Sequence, residues 1–294
     1  ERDWSSDVCS SDLKYLDPKA DLTFKRVFGE HPDLVMSLLN ALLPLTAGQE
    51  ITDIEYLPSE MVPENPLRKN SIVDVRCKDK EGRQFIVEMQ MIWSPEFKQR
   101  VLFNASKAYV RQMNAGEQYE LLQPVYSLNL VNEIFEPSLE GYYHHYQMIH
   151  VENSDKVIDG LQLIFVELPK FTPHSYSEKK MQVLWLRYLT EINEKTREVP
   201  EELMANSEVK KAVNALEISA FTDAQLAGYE KFWDIISVEK TLYNSAERRG
   251  MAQGMAQGKA EERHLIAINL KKQGVSFEII SQCTGLPVKE IELL

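Results

Sequence analysis

Nowhere in the 294 residues is there a run of about twenty apolar residues of the kind a membrane helix needs, and no basic start leads into an apolar stretch as in a secretory signal. The chain is therefore expected in the cytoplasm, away from membranes. Cysteine is scarce too. Cys9, Cys77 and Cys283 lie far apart, which argues against a disulfide framework and against the paired spacing of a zinc site, so reduced thiols are expected. Basic charge is in deficit: with Lys+Arg 33 against Asp+Glu 45, the formal net charge of −12 excludes coating of nucleic acid by bulk electrostatics. Any phosphate contact must be local. No glycine-rich phosphate loop precedes a helix with Lys-Ser or Lys-Thr, and no Ser, His and Asp set points to acyl transfer. His144, His145 and His150 sit in an aromatic stretch without acids at ligand spacing and read as satisfied or surface residues.

What is present is an ordered succession of helix and strand patterns. Residues 1–13 are set aside, because Asp3–Leu13 reads as an adapter-derived, non-native segment without apolar periodicity. Asp21–Leu43 has helical spacing with a break at Gly29–Pro32, and Pro44 stops it. Ile51–Leu57 is expected as a strand and Pro58–Pro66 as a loop. Two strands, Ser71–Cys77 and Arg83–Trp93, form the clearest hairpin. Ser94 as cap and Pro95 as first residue open a helix running to about Ala115, and strands follow at Pro124–Val131 and Leu161–Leu168. This order predicts an α/β fold, a mixed sheet flanked by helices, over residues 14–172. An α-helical C-terminal region follows, with one part at 173–249 and another at 250–294. Its helices are expected near Glu178–Glu194, Ser207–Ile218 and Asp223–Ala246.

The run Gly250-Met-Ala-Gln-Gly254-Met-Ala-Gln-Gly258 repeats every four residues and sets its glycines on nearly one helix face. It reads either as a close-packing face or as a weak exposed helix or tether. The last forty residues resemble a helix-turn-helix, with turns at Gln273-Gly274 and Thr284-Gly285. Few bases lie on its last helix, so DNA reading and plain structure both remain open.

Chemistry concentrates on the hairpin. Alternation puts Ile72, Asp74 and Arg76 on one face of the first strand, and Ile86, Glu88, Gln90 and Ile92 share a face of the second. A three-residue turn, Lys80–Gly82 with Gly82 left-handed, would pair Asp79 with Arg83 and hence Asp74 with Glu88, whereas a two-residue turn would set them on opposite faces. Adjacent carboxylates in a strand environment are costly unless neutralised, and a divalent cation such as Mg²⁺ does that with one or two carboxylates plus water and phosphate oxygens. The competing reading is a structural ion pair between Asp74 and Arg76. Gln90 can orient water or phosphate but brings no charge. On the following helix Lys98, Arg100, Lys107 and Arg111 face the single acid Glu96, and Arg100, Lys107 and Arg111 share one side. They are candidates for a local phosphate-binding stripe or simply a solvated face.

The segments Asp21-Leu-Thr-Phe24-Lys25-Arg-Val-Phe28-Gly29, Val73-Asp74-Val75, Gly82 followed by Phe85-Ile-Val-Glu88-Met-Gln90, and Glu167-Leu168-Pro169-Lys170-Phe171 together resemble the Rpn recombination-promoting nucleases, transposase-like proteins of the PD-(D/E)XK nuclease superfamily. The likeness spans about residues 14–172, and the glycine repeats and Ala267–Gly274 look like that family's C-terminal region. The resemblance implies a restriction-endonuclease-like fold and a metal-dependent DNA endonuclease linked to recombination or a mobile element. Asp74 and Glu88 would be the ligands of Mg²⁺ or Mn²⁺, and Gln90 would stand where the superfamily has its catalytic lysine. Asp21 would be a further acid or, on its own position, an N-cap. Lys25, one turn on, would hold phosphate with Arg100, Lys107 and Arg111. The partner implied is double-stranded DNA. Cutting two strands from one site per chain usually needs two chains, so a homodimer fits this reading, although no interface is legible. Glutamine cannot stabilise phosphate charge as lysine does, which leaves a weakly active or inactive DNA- or protein-binding module as the alternative.

Overall fold

Residues 84–90 carry the apolar run Phe85–Val87 followed by alternating polar and apolar residues, while 125–131 is apolar enough to be covered on both sides, and these two strands organise the sheet. The computed structural model describes residues 14–61, 71–114, 116–173 and 180–294. Eight strands occur among them: β1 (Glu55–Tyr56), β2 (Glu60–Met61), β3 (Ser71–Ile72), β4 (Val75–Lys78), β5 (Gln84–Gln90), β6 (Val125–Val131), β7 (Tyr143–His150) and β8 (Asn153–Glu167). Six form one mixed sheet in the order β1-β4-β5-β6-β8-β7, with β2 and β3 as a separate pair. β5, β6 and β8 run parallel, and the remaining pairings are antiparallel. Every residue of β6 is buried, as expected for a strand covered on both faces.

One face of the sheet is covered by α1 (Asp21–Phe24), a π turn (Lys25–Gly29) and α2 (Pro32–Leu42), then by α4 (Lys180–Glu191), α5 (Glu201–Met204) and α6 (Ser207–Asn214). Phe24, Phe28, Leu38, Trp185 and Val213 share an apolar core there with Val75, Phe85, Val87 and Leu128. The opposite face is covered by α3 (Phe97–Val110), whose Ala105 and Ala108 pack on Ile86 and Val125, and whose Phe97 and Val101 pack on Val131 and Phe165. The α/β class is as expected. The helices of residues 180–214, read above as a region apart, belong to the same core as the sheet, because an amphipathic helix looks alike whether it covers a sheet or another helix.

The chain divides into two compact units, Glu1–Asp234 and Ile235–Leu294. The helix α7 (Asp223–Lys272) contains the boundary and extends well past the expected end at Ala246. In the second unit α8 (Phe277–Thr284) and α9 (Val288–Leu293) enclose a small core of Ala267, Ile280, Leu286 and Ile291. Gly250, Gly254 and Gly258 lie inside α7, and a Cβ at any of them would meet nothing within 4 Å, so no close packing forms on that face among the described residues. No described helix is long and apolar enough to cross a membrane. Cys77 and Cys283 are free thiols.

Several boundaries differ from the sequence reading. The first hairpin strand is broken at Val73 and Asp74, so that Ser71 and Ile72 pair with β2 and only Val75–Lys78 pair with β5. Ser94 does not cap α3, which starts at Phe97 after a turn in which Phe97 N–H donates to the Ser94 carbonyl at 2.9 Å. The last sheet strand is twice the expected length and forms a long hairpin with β7, which was not expected. Its outer half is exposed on both sides and therefore carries no alternation. Expectations for residues 1–13, 62–66, Ala115 and 178–179 lie outside the described residues.

The turn of the β4–β5 hairpin follows the expected form. Asp79 N–H donates to the Arg83 carbonyl at 3.1 Å, Gly82 has φ 86°, and the Asp79 carboxylate binds Arg83 through N–H and Nε at 2.8 and 2.6 Å. A side chain at position 82 would adopt the left-handed conformation and meet Gln123 Cγ at 3.3 Å. We predict that Gly82→Ala lowers the unfolding free energy by about 1–2 kcal/mol. Urea denaturation measures it, and an unchanged midpoint would contradict the turn.

Candidate active site

The β4–β5 register carries Val75↔Val87 and Cys77↔Phe85, so one further step sets Asp74 opposite Glu88. Asp74 sits at a bend where the strand leaves its partner, and its carboxylate replaces the missing ladder bond: Oδ2 accepts the Met89 N–H at 2.8 Å. Glu88 lies on the face of β5 turned toward α3, where Asn104 Nδ2 donates to its Oε1 at 3.0 Å. Each carboxylate thus has one oxygen held by the protein. Among the described residues Asp74 Oδ1 has no hydrogen-bond donor, and the cation nearest Glu88 Oε2 is Arg100 Nη2 at 3.9 Å.

Arg100 completes the group. Its guanidinium lies 4.7 Å from the Phe97 ring centroid and its Nη2 donates to Gln90 Oε1 at 2.5 Å. Gln90 Nε2 donates back to the Ile92 carbonyl, so both ends of this amide are engaged. Arg76 does not pair with Asp74. Its Nη2 donates to Gln84 Oε1 at 2.9 Å, which removes the structural ion pair considered for Asp74.

Asp21 is the first residue of α1, and Ala20 occupies the cap position, so Asp21 is not an N-cap. It forms an ion pair with Lys25 at 2.6 Å, and both are close enough to act on Asp74 electrostatically, Lys25 favouring its charge and Asp21 opposing it. Lys107 and Arg111 lie further along α3, about 10 and 16 Å beyond Arg100 at the rise of a helix. They are near each other rather than near the carboxylates.

The electrostatics of the pair are unfavourable to the bare protein. Burial pushes the Glu88 carboxyl up to about 7, with the Asp74 charge adding to the rise and Asn104 and Arg100 opposing it. Burial also raises Asp74, against the Met89 N–H, Lys25 and Arg100. Two neighbouring carboxylates that resist ionising, each with one oxygen open, form a donor set suited to a hard divalent cation. Among the described residues no cluster of three or more His, Cys, Asp or Glu could hold a metal, so water and phosphate oxygens would have to fill the remaining positions.

Sequence reasoning missed Asn104 and Ser71, and gave the acid Glu167 no role beyond its place in the family-like segment. Asn104 left a signal. It is the single polar member of the buried stripe Phe97, Val101, Asn104, Ala105 and Ala108, and an amide on an apolar face needs a partner. Glu167 is structural: fully buried, it accepts from Phe135 and Glu136 N–H at 2.6 and 3.0 Å, meets His144 at 2.7 Å, and pairs with Lys170 at 2.5 Å. Burial raises its carboxyl, but these donors hold it below the usual carboxylate range. His145 meets Gln162 at 2.6 Å, in keeping with its reading as a satisfied residue.

An α/β core that sets two carboxylates side by side on a hairpin, beneath a helix bearing arginine, has the frame of a nuclease. Over residues 18–238 the chain matches the family model described as PD-(D/E)XK nuclease family transposase, and it belongs to that family. No curated protein and no solved structure was found to match it.

A folded-state pKa above the unfolded value means that the native chain binds the Glu88 proton more tightly than the unfolded chain. The stability this contributes is present below about pH 4.5 and lost as pH rises through about 7, a change of roughly 3 kcal/mol. Metal-free Glu88→Gln should therefore be more stable than the parent at pH 8, with the difference shrinking toward pH 5. Urea midpoints across that range test this, and a difference independent of pH would refute the burial of a strained carboxyl.

Proposed function

We propose that the chain is a Mg²⁺- or Mn²⁺-dependent endonuclease that hydrolyses phosphodiester bonds of double-stranded DNA, in recombination or within a mobile element. The observation that carries the reading is the juxtaposition of Asp74 and Glu88, with Arg100 3.9 Å from the second carboxylate. Family membership supports a nuclease activity in general. Asp74 and Glu88 hold the cation, which when bound would polarise the phosphodiester and favour deprotonation of water.

Gln90 takes a different part from the one its position suggests. With its amide tied to the Ile92 carbonyl and to Arg100, it acts as a bracket for the guanidinium. Arg100 then brings the fixed positive charge that a lysine at position 90 would have supplied, and its fork matches phosphate oxygens. Because it is a permanent cation, it stabilises negative charge on phosphate without exchanging protons. Lys25, Lys107 and Arg111 bind outlying phosphates, and Asp21 restrains Lys25. Two chains would cut both strands, each from its own hairpin.

The competing reading, a module that binds DNA or protein without cutting, is favoured by glutamine at position 90. Plasmid cleavage separates the two. Asp74→Ala and Glu88→Ala should abolish metal-dependent nicking while leaving the fold intact, and Arg100→Ala should slow it about a hundredfold. Cleavage that survives both carboxylate changes would remove the site. A second measurement addresses the stripe. If Lys107 and Arg111 each neutralise one phosphate, Lys107→Ala and Arg111→Ala should each flatten the log–log salt dependence of DNA binding by about 0.9. An unaltered slope would reduce these bases to a solvated surface.

A further inference from the structure

The two-stranded sheet β2–β3 lies outside the main sheet, yet it reaches the carboxylates through one side chain. Ser71 Oγ donates to Asn104 Oδ1 at 2.6 Å, and Asn104 Nδ2 donates to Glu88 Oε1 at 3.0 Å. All three residues are buried, Ser71 to 4%, Asn104 to 3% and Glu88 to 6% residual exposure. The polarity of this chain is fixed by chemistry. An amide oxygen only accepts, so the Ser71 hydroxyl must donate to it, and the amide nitrogen must then face Glu88 as a donor. With Glu88 ionised, as it must be to hold a cation, reversing the amide would set its oxygen against a carboxylate oxygen, which repels it.

We propose that Asn104, locked by Ser71, is a positioning residue for the cation site: it holds Glu88 Oε1 so that Oε2 is the oxygen offered to a divalent metal ion. This rests on the reading of Asp74 and Glu88 as metal-holding carboxylates. Met89 N–H plays the corresponding part on Asp74 by occupying Oδ2. One oxygen of each acid is thereby assigned to the protein before any cation arrives. That geometry matters because Mg²⁺ is intolerant of distorted ligands, and losing a partner that orients a metal-holding side chain typically costs about 10–100-fold in affinity. The break in the first hairpin strand has a role in this arrangement. By turning away at Val73 and Asp74, the chain sends Ser71 to Asn104 instead of along β5.

The test uses the full chain and Mn²⁺ alone as probe, with binding followed by calorimetry and by the spin resonance of free Mn²⁺, so that no DNA is required. Asn104→Ala should weaken Mn²⁺ binding about tenfold. Ser71→Ala should weaken it in the same direction by less, and the Asn104→Ala/Ser71→Ala protein should bind less weakly than the sum of the two effects implies, because Ser71 acts on Glu88 through the amide. Unchanged Mn²⁺ affinity in Asn104→Ala, or effects of the two changes that add in the double variant, would overturn the proposal. Should Asn104→Ala fail to fold, the smaller Ser71→Ala change decides it, and parent-like Mn²⁺ affinity there overturns it. A parent chain that binds no Mn²⁺ defeats the metal-dependent reading itself. A parent that binds with Asn104→Ala unaffected defeats only the positioning role.

Discussion

Two carboxylates placed side by side where neither ionises easily are the constraint around which the rest is arranged. Asp74 and Glu88 meet because a three-residue turn with left-handed Gly82 fixes an even register between β4 and β5. They stay in place because the Met89 N–H and the Asn104 amide each claim one oxygen. Burial then opposes their charge, raising Glu88 to about 7. Every element nearby contributes to this balance. α3 supplies Asn104 and Arg100, α1 and the π turn after it supply Asp21 and Lys25, and β6 pairs with β5 along its whole length. The arrangement costs stability in the bare protein, as sites built for chemistry commonly do.

Much of this was legible in the sequence, and the limits have physical reasons. The turn and register of the hairpin could be read because a glycine turn and cross-strand pairing are local, whereas the break at Val73 and Asp74 could not. The parallel strands at 125–131 and 161–167 announced themselves as apolar runs. The outer half of β8 did not, since residues such as Asp155, Lys156 and Asp159 face solvent regardless of side and leave no period to detect. Ser94 and Pro95 had the composition of a helix start, but the chain uses them in a turn that delays α3 to Phe97. Arg100 was visible as one base in a stripe. Its placement beside Glu88 depends on how α3 lies across the sheet, which no local pattern encodes.

On the reading proposed above, Gln90 stands where the family's lysine would be, and its surroundings supply the charge. Read alone, glutamine in place of lysine removes a positive charge. In the folded chain the amide accepts from Arg100, and the guanidinium stands near the carboxylate from a different element. Charge at a site belongs to a volume and not to a sequence position, so a motif that lacks one residue describes the strand without describing the chemistry around it.

Glu167 has a consequence beyond its own burial. By gathering Phe135 and Glu136 N–H, His144 and Lys170 around one buried carboxylate, it anchors the segment that follows β6. That segment begins at Asn132, whose N–H donates to the Gln90 carbonyl at 2.8 Å. The rim beside Gln90 is therefore already ordered in the free protein and loses little chain entropy on meeting a ligand. If the proposed reading of the site holds, such a rim would meet a nucleic acid by the contour it presents, more as a gauge than as a clasp.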